Sequence, residues 1–287
     1  MDKNVDERIV ISVRNLSKAY GKRQILTNIS FDVYKSETLV IIGKSGTGKS
    51  QILRHIIGLI KPDKGDILIY GKSIVKASKK ELEDLRKKMG MVFQENALFD
   101  FMTVEENIAF PLREALHLDE EEIEKRINMT LEMVDLNPED VRKKSPAELS
   151  GGMKKRVAIA RTIAMEPEIL LYDEPTTGLD PVTSDKINTI IRSMQTKLNV
   201  TSIVVTHDMK SANKIADRII YIDKTSEDTG AKIMFIGTPE TLAIEADKNL
   251  RLKAFIEGVY DPEAIVLKKK EYEEKYSEKI DLDVFKK

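Results

Sequence analysis

Gly43-Lys44-Ser45-Gly46-Thr47-Gly48-Lys49-Ser50 decides how the rest of this chain is read. It fits the pattern G-x-x-x-x-G-K-[ST]. A short β-branched run, Thr38 to Ile42, precedes it, and a helical pattern from Lys49 to Leu59 follows. Strand, glycine turn and helix together give such a loop its meaning, because glycines let backbone N–H groups turn inward onto phosphate oxygens. The helix adds the positive end of its dipole at the same point. On this reading Lys49 reaches the β- and γ-phosphates of a nucleotide, and the Ser50 hydroxyl ligates Mg²⁺. A plain glycine-rich turn is the weaker reading, given that context.

Working outward, Ile169-Leu170-Leu171-Tyr172 is a hydrophobic strand that ends in Asp173-Glu174-Pro175. Open α/β sheets bind ligands at the carboxyl ends of their strands, so the two acids are expected to face the loop. Asp173 then holds Mg²⁺, through water, and Glu174 polarises an attacking water. Elsewhere, residues 8–34 read as short strands around a turn at Tyr20-Gly21-Lys22, with imperfect alternation. Ile67 to Tyr70 and Met91-Val92-Phe93 read as strands, and Lys79 to Lys88 as an exposed helix. Beyond the acids, strand and helix alternate: Ser184 to Lys197, Ser202 to Thr206, Met209 to Ala216, Ile219 to Ile222 and Ile233 to Ile236. That order predicts a parallel sheet covered on both faces, an α/β class. A helical block over about residues 100–165 interrupts it, with Asp119 as a cap before Glu120-Glu121-Glu122 and a second helix from Ser150 to about Met165.

Composition narrows the function. The 287 residues carry 47 basic and 48 acidic side chains, a net charge of −1 that argues against a general nucleic-acid binder. There is no cysteine, which removes disulfide frameworks, thiolate zinc sites and cysteine nucleophiles. His55, His117 and His207 are too scattered to predict a histidine metal cluster. The charged start, Met1 to Arg8, does not read as a signal peptide. The longest apolar runs, such as Leu39 to Ile42 and Ile56 to Ile60, fall far short of the roughly 18 residues a spanning helix needs.

Leu149-Ser150-Gly151-Gly152-Met153 stands immediately before the second helix of the block, which bears Lys154, Lys155, Arg156 and Arg161. With the phosphate loop and the acidic pair, it resembles the signature of ATP-binding-cassette (ABC) ATPases, over roughly residues 9–240. The resemblance implies a P-loop ABC ATPase core, with a RecA-like mixed sheet, an antiparallel β subdomain and a helical signature subdomain. It implies a nucleotide-binding domain over 1–240, with the helical subdomain inserted at about 100–165, and a C-terminal helical extension or tail over 241–287. Residue by residue, Tyr20 matches the aromatic that stacks on adenine. Gln94 matches the glutamine linking the Mg²⁺ and water site to the transport partner. Gly178-Leu179-Asp180 looks like the loop that crosses to a second protomer, and His207 like the switch histidine contacting the γ-phosphate and Glu174. Ser150, Gly151 and Gly152 are implied to bind the γ-phosphate held by another copy, so that two ATP molecules join a head-to-tail dimer. The family usually has glutamine where this chain has Met153, which cannot make an amide's hydrogen bonds.

Several stretches are similar to one branch, the MlaF-type or MKL ATPases: the Ser-Gly-Thr core of the loop, Asn96 to Arg113, the Leu-Ser-Gly-Gly-Met signature and Thr206-His207-Asp208-Met209. That branch implies phospholipid trafficking with an MlaE-like permease and an MCE-domain protein. The chain would sit on the cytoplasmic face of the inner membrane, held there by the permease. Another solute is the nearest rival. A soluble ABC ATPase acting on DNA or ribosomes is disfavoured by the single cassette and the lack of a long heptad run. Leu98, Phe99, Phe101 and Met102 read equally as a groove for a permease helix and as core of the helical subdomain. Past residue 240, Lys253 to Gly258 looks like a helix end. Val259-Tyr260-Asp261-Pro262 breaks it, Lys268 to Lys279 reads as a solvated helix or loose tail, and a mobile terminus is favoured over a clasp onto a neighbouring protomer.

Overall fold

A computed structural model describes residues 7–224, 226 and 229–259 of the protein. The stretch from Tyr260 onward, read above as a broken helix and tail, lies outside the described residues.

One antiparallel sheet has the order β2-β1-β4-β5, built from β1 (Ile9–Tyr20), β2 (Arg23–Tyr34), β4 (Lys64–Ile69) and β5 (Lys72–Ser73). Where sequence suggests short strands, β1 and β2 are each 12 residues long and form one hairpin around Gly21-Lys22. The alternation looked imperfect because the ladder is bulged. Register shifts fall between Val13 and Leu16 and again between Leu16 and Lys18, with Asn15 and Asn28 at φ 50° and 53°. Each bulge resets which face the next side chain occupies.

The second sheet has the order β10-β9-β3-β8-β7-β6. It comprises β3 (Thr38–Ile42), β6 (Met89–Val92), β7 (Ile169–Asp173), β8 (Thr201–Thr206), β9 (Arg218–Asp223) and β10 (Lys232–Gly237). All neighbours are parallel except β10, which runs antiparallel at the edge. Every residue of β3, β7 and β8 is buried, which is why each reads as an apolar run without alternation, over 39–42, 169–172 and 203–205. Leu39, Ile41, Leu171, Ile203 and Val205 join one apolar cluster with the antiparallel sheet and with Ile52, Leu53 and Ile56 of α1 (Lys49–Ile56). Val40, Leu170, Tyr172 and Val204 are equally buried but lie outside that cluster. Helix α8 (Met209–Ile215) packs on β3 and β8, beside α7 (Pro181–Leu198). The sheets are tied by Thr27 N–H donating to the Ala231 carbonyl at 2.9 Å and Ala231 N–H to that of Ile25 at 2.8 Å.

Helix α2 (Lys79–Lys87) begins in a capping box between Ser78 and Glu81. The helical block holds α3 (Val104–Pro111), α4 (Glu120–Met133), α5 (Pro138–Val141), a 3₁₀ turn at Pro146–Glu148 and α6 (Gly151–Ile163). Helices α3, α4 and α6 pack on one another. The helical block is interrupted between α3 and α4. A wide π-helical turn follows Pro111 and ends at His117, whose φ is 53°. Asp119 caps α4, its Oδ1 accepting from Glu122 N–H at 2.9 Å. The Arg142 guanidinium bridges Glu105 on α3 and Glu124 on α4, at 2.6 Å to each.

Contacts divide the chain into one unit ending at Gly237 and another starting at Thr238. The described part of the second holds α9 (Pro239–Ala246), capped by Thr238, and α10 (Leu250–Ile256), capped by Asn249. Among the described residues no helix is long and apolar enough to cross a membrane.

Candidate active site

The glycine loop leaves β3 and enters α1, with Gly46 at φ 78° and Gly48 at φ 98°. Gly48 is the N-terminal cap of α1 and uses a left-handed conformation that L side chains resist. A methyl group there would also sit 2.9 Å from Ile25 Cγ2. The loop is braced from within, since the Thr47 hydroxyl and the Lys49 ammonium donate to the Lys44 carbonyl at 2.8 and 3.3 Å. Lys49 Nζ also donates to the Gly43 carbonyl at 2.8 Å.

The acids at the end of β7 face this loop. The Ser50 hydroxyl donates to Asp173 Oδ1 at 2.6 Å, and Lys49 Nζ lies 3.3 Å from Glu174 Oε1. His207, just past β8, places Nδ1 2.8 Å from Glu174 Oε2, and the Thr177 hydroxyl donates to the same oxygen at 3.0 Å. Glu174 sits at φ 48°, its N–H donating to the Val205 carbonyl at 3.0 Å, so main chain as well as side chain holds it. Lys49 and Glu174 are both nearly buried, at 5% and 10% side-chain exposure, where an ion pair interacts more strongly than in water. Burial pushes the Asp173 carboxyl above its usual value, while the Ser50 hydroxyl and Arg54 work against that shift.

Tyr20, Ser45, Gly46, Gly48, Lys49, Ser50, Gln94 and Glu174 line one cleft of about 570 Å³. Its donor set of hydroxyl, carboxylate and amide oxygens suits a hard cation. Among the described residues there is no group of three or more His, Cys, Asp or Glu that could hold a metal by itself. A divalent ion here must rely on few protein oxygens plus phosphate and water, which is how magnesium is commonly held.

The signature residues are elsewhere. Ser150 caps α6, its hydroxyl accepting from Met153 N–H at 3.3 Å, and neither it nor Gly151 and Gly152 lines that cleft. They lie against the start of α7: a Cβ on Gly151 would be 3.5 Å from Leu179 Cδ2, and one on Gly152 only 2.4 Å from Thr183 Cγ2. Asp180 caps α7, accepting from Val182 and Thr183 N–H at 3.0 Å each and from the Thr183 hydroxyl, which holds its carboxyl below the usual range. The expected site residues therefore fall into two groups within one chain. Phe101 is 82% exposed, while Phe99 packs edge-on against Phe110 with ring centroids 5.1 Å apart.

Two residues counted in the sequence only as charges turn out to hold the Gln94 loop. Lys155 donates to the carbonyls of Phe93 at 3.1 Å and Gln94 at 2.7 Å, and burial pulls its ammonium down to about 8. Arg161 donates to Asn96 at 3.0 Å and Ala97 at 2.7 Å, two residues with φ of 63° and 52°. The available signal was position: Lys155 lies three residues after Gly152 and four before Ile159, on the buried face of α6.

A phosphate loop opening a helix beside a strand that ends in paired acids defines the nucleoside-triphosphate-binding α/β class. The ABC transporter family model matches residues 26–177. The "intermembrane phospholipid transport system ATP-binding protein MlaF" of Haemophilus influenzae is 40% identical over 88% of this chain and 92% of its own length. The "methionine import ATP-binding protein MetN" of Clostridioides difficile is 36% identical over 90% of this chain and 78% of its own. A dimeric, post-hydrolysis structure of the ATP-binding cassette MJ0796 bound to ADP and Pi superposes with a TM-score of 0.71. It is 33% identical, over 80% of this chain and 98% of that one. The chain belongs to the ABC transporter family, as an ATP-hydrolysing subunit of the MlaF-like type.

Proposed function

We propose that this subunit powers phospholipid movement between membranes, by ATP-driven pairing with a second copy of itself beneath a separate permease. The likeness to MlaF, 40% over nearly the whole of both chains, is the observation that carries the reading. The partners are an MlaE-like integral membrane permease and an MCE-domain protein. The site of action is the cytoplasmic face of the inner membrane, with no nucleic acid involved. Import of another solute is the second reading, favoured by the 36% identity to a methionine importer's subunit.

In this proposal Tyr20 stacks on adenine. The N–H groups of Gly43 to Ser50 cradle the phosphates, and Lys49 exchanges its carbonyl and Glu174 partners for the β- and γ-phosphates. Ser50, Asp173 and Gln94 would hold Mg²⁺, which when bound neutralises phosphate charge. Glu174, steadied by His207 and Thr177, takes a proton from the attacking water. Ser150, Gly151 and Gly152 of one copy, with Asp180 nearby, close on the nucleotide of the other. Such a dimer is held by γ-phosphate and parts after hydrolysis. Exposed Phe101, beside Leu98, Phe99 and Met102, receives a permease helix.

The test is identification of the chains that co-purify with the tagged protein from gently solubilised native membranes. An MlaE-like permease with an MCE-domain protein supports the proposal, and a permease of another type overturns the lipid assignment. Independently, Glu174→Gln should accumulate an ATP-bound dimer with hydrolysis lowered at least a hundredfold. Normal turnover in that variant refutes the role given to Glu174.

A further inference from the structure

Gln51 follows Ser50, one position further into α1, and its Oε1 accepts a hydrogen bond from the Tyr20 hydroxyl at 3.0 Å. Tyr20 ends β1 at the hairpin turn and is half exposed, a place where an aromatic ring ordinarily samples several rotamers. Its surroundings restrain it. The Lys18 ammonium lies over the ring, 5.2 Å from the centroid. Asp63 in turn accepts from Lys18 Nζ at 2.9 Å and from Ala19 N–H at 2.7 Å, fixing the main chain just before the ring. Tyr20 and Gln51 line the same cleft as Ser45, Gly46 and Lys49. The hydroxyl–amide bond is thus a strut between the antiparallel sheet and the helix that opens at the phosphate loop.

We propose that Gln51 is a positioning residue that fixes the Tyr20 ring relative to the phosphate loop, so that a purine and its triphosphate find their two supports already at the right separation. The inference rests on the reading of Tyr20 as the base platform. A ring held in advance loses less rotamer freedom when a base stacks on it, so the gain appears in binding. Glutamine suits the task because its amide oxygen accepts from a phenol without adding negative charge beside the phosphates.

The experiment uses the full-length chain and two probes: ATP with Mg²⁺, and inorganic tripolyphosphate with Mg²⁺, which carries phosphates and no base. Affinities for both, with KM and kcat for ATP, are measured for the wild type, Gln51→Leu, Tyr20→Phe, the double variant and Tyr20→Ala. Gln51→Leu should raise KM about three- to tenfold and shift kcat less than twofold, the size of one lost hydrogen bond. Tripolyphosphate affinity should stay put. Tyr20→Phe should match it, and the double variant should be no worse than either single one, since both remove the same bond. An unchanged KM in Gln51→Leu, additive losses in the double variant, or a parallel loss of tripolyphosphate affinity overturns the strut. Tyr20→Ala separates the layers. If it leaves ATP affinity unchanged, the platform reading itself fails. If it weakens ATP while Gln51→Leu is silent, only the strut fails.

Discussion

Gly152→Ala asks whether the start of α6 is seated on α7 as closely as the geometry indicates. The new methyl carbon would lie 2.4 Å from Thr183 Cγ2, where carbon atoms in contact ordinarily stand about 3.5–4.0 Å apart. Thr183 cannot rotate the methyl away freely, because its hydroxyl and N–H both bond to Asp180 as part of the α7 cap. Overpacking of this kind costs about 1–3 kcal/mol. Replacing a glycine within a helix returns about 0.5–1 kcal/mol. The net loss is up to about 2.5 kcal/mol, or a fall of up to about 10 °C in thermal midpoint. Thr183→Ser removes the offending methyl and keeps the hydroxyl that caps α7. Calorimetry of the two single variants and the double should therefore show the midpoint recovering in the double. Simple addition of the two single effects would refute the proposed contact.

Gly48→Ala forces an L side chain into φ 98° and against Ile25 Cγ2, so ATP affinity measured by calorimetry should fall at least tenfold. Phe101→Asp alters a side chain that is 82% exposed, so stability should hold within about 0.5 kcal/mol while the permease is lost from pull-downs. An undiminished permease yield counts against the docking role. Burial pushes the Glu105 carboxyl up, but hydrogen bonds from Lys143 and Arg142 outweigh it and hold it below its ordinary value. The folded state therefore binds this proton less readily than the unfolded one. The resulting stability is present above the unfolded value of 4.5 and is lost as pH falls through the lower, folded one. Glu105→Gln should be less stable than wild type by about 1–2 kcal/mol at pH 7. In denaturant titrations that gap should close as the pH is lowered below 4.5, and a gap independent of pH would contradict the assignment.

The candidate site was legible in the sequence where local chemistry dictates conformation. Glycines at 46 and 48 mark positive φ, and acids closing an apolar strand mark its ligand end. The fully buried strands were equally plain, since cover on both faces leaves apolar runs at 39–42, 169–172 and 203–205. What escaped detection depends on partners distant in the chain. Bulges hid the length of β1 and β2 because alternation is tested against a fixed period, and this ladder changes its phase. Strand β5 has only two residues, too few for a pattern. Gln51 gave no signal at all, for its meaning lies in a hydroxyl 31 positions away in sequence. The pairing of the signature with α7, through Gly152 and Thr183, is likewise invisible until the two helix starts are brought together.

The hydrogen bonds by which Lys155 and Arg161 of α6 hold residues 93–97 run to main-chain carbonyls, and Glu95 adds its charge opposite Lys155. Such hydrogen bonds do not depend on which side chains the loop carries. The loop's path, and with it the placement of Gln94, can be kept while the residues beside it are exchanged. On the proposed docking, a single engine could in that way be fitted to permeases with different undersides, its timing parts untouched, by rewriting only the few letters that the permease reads.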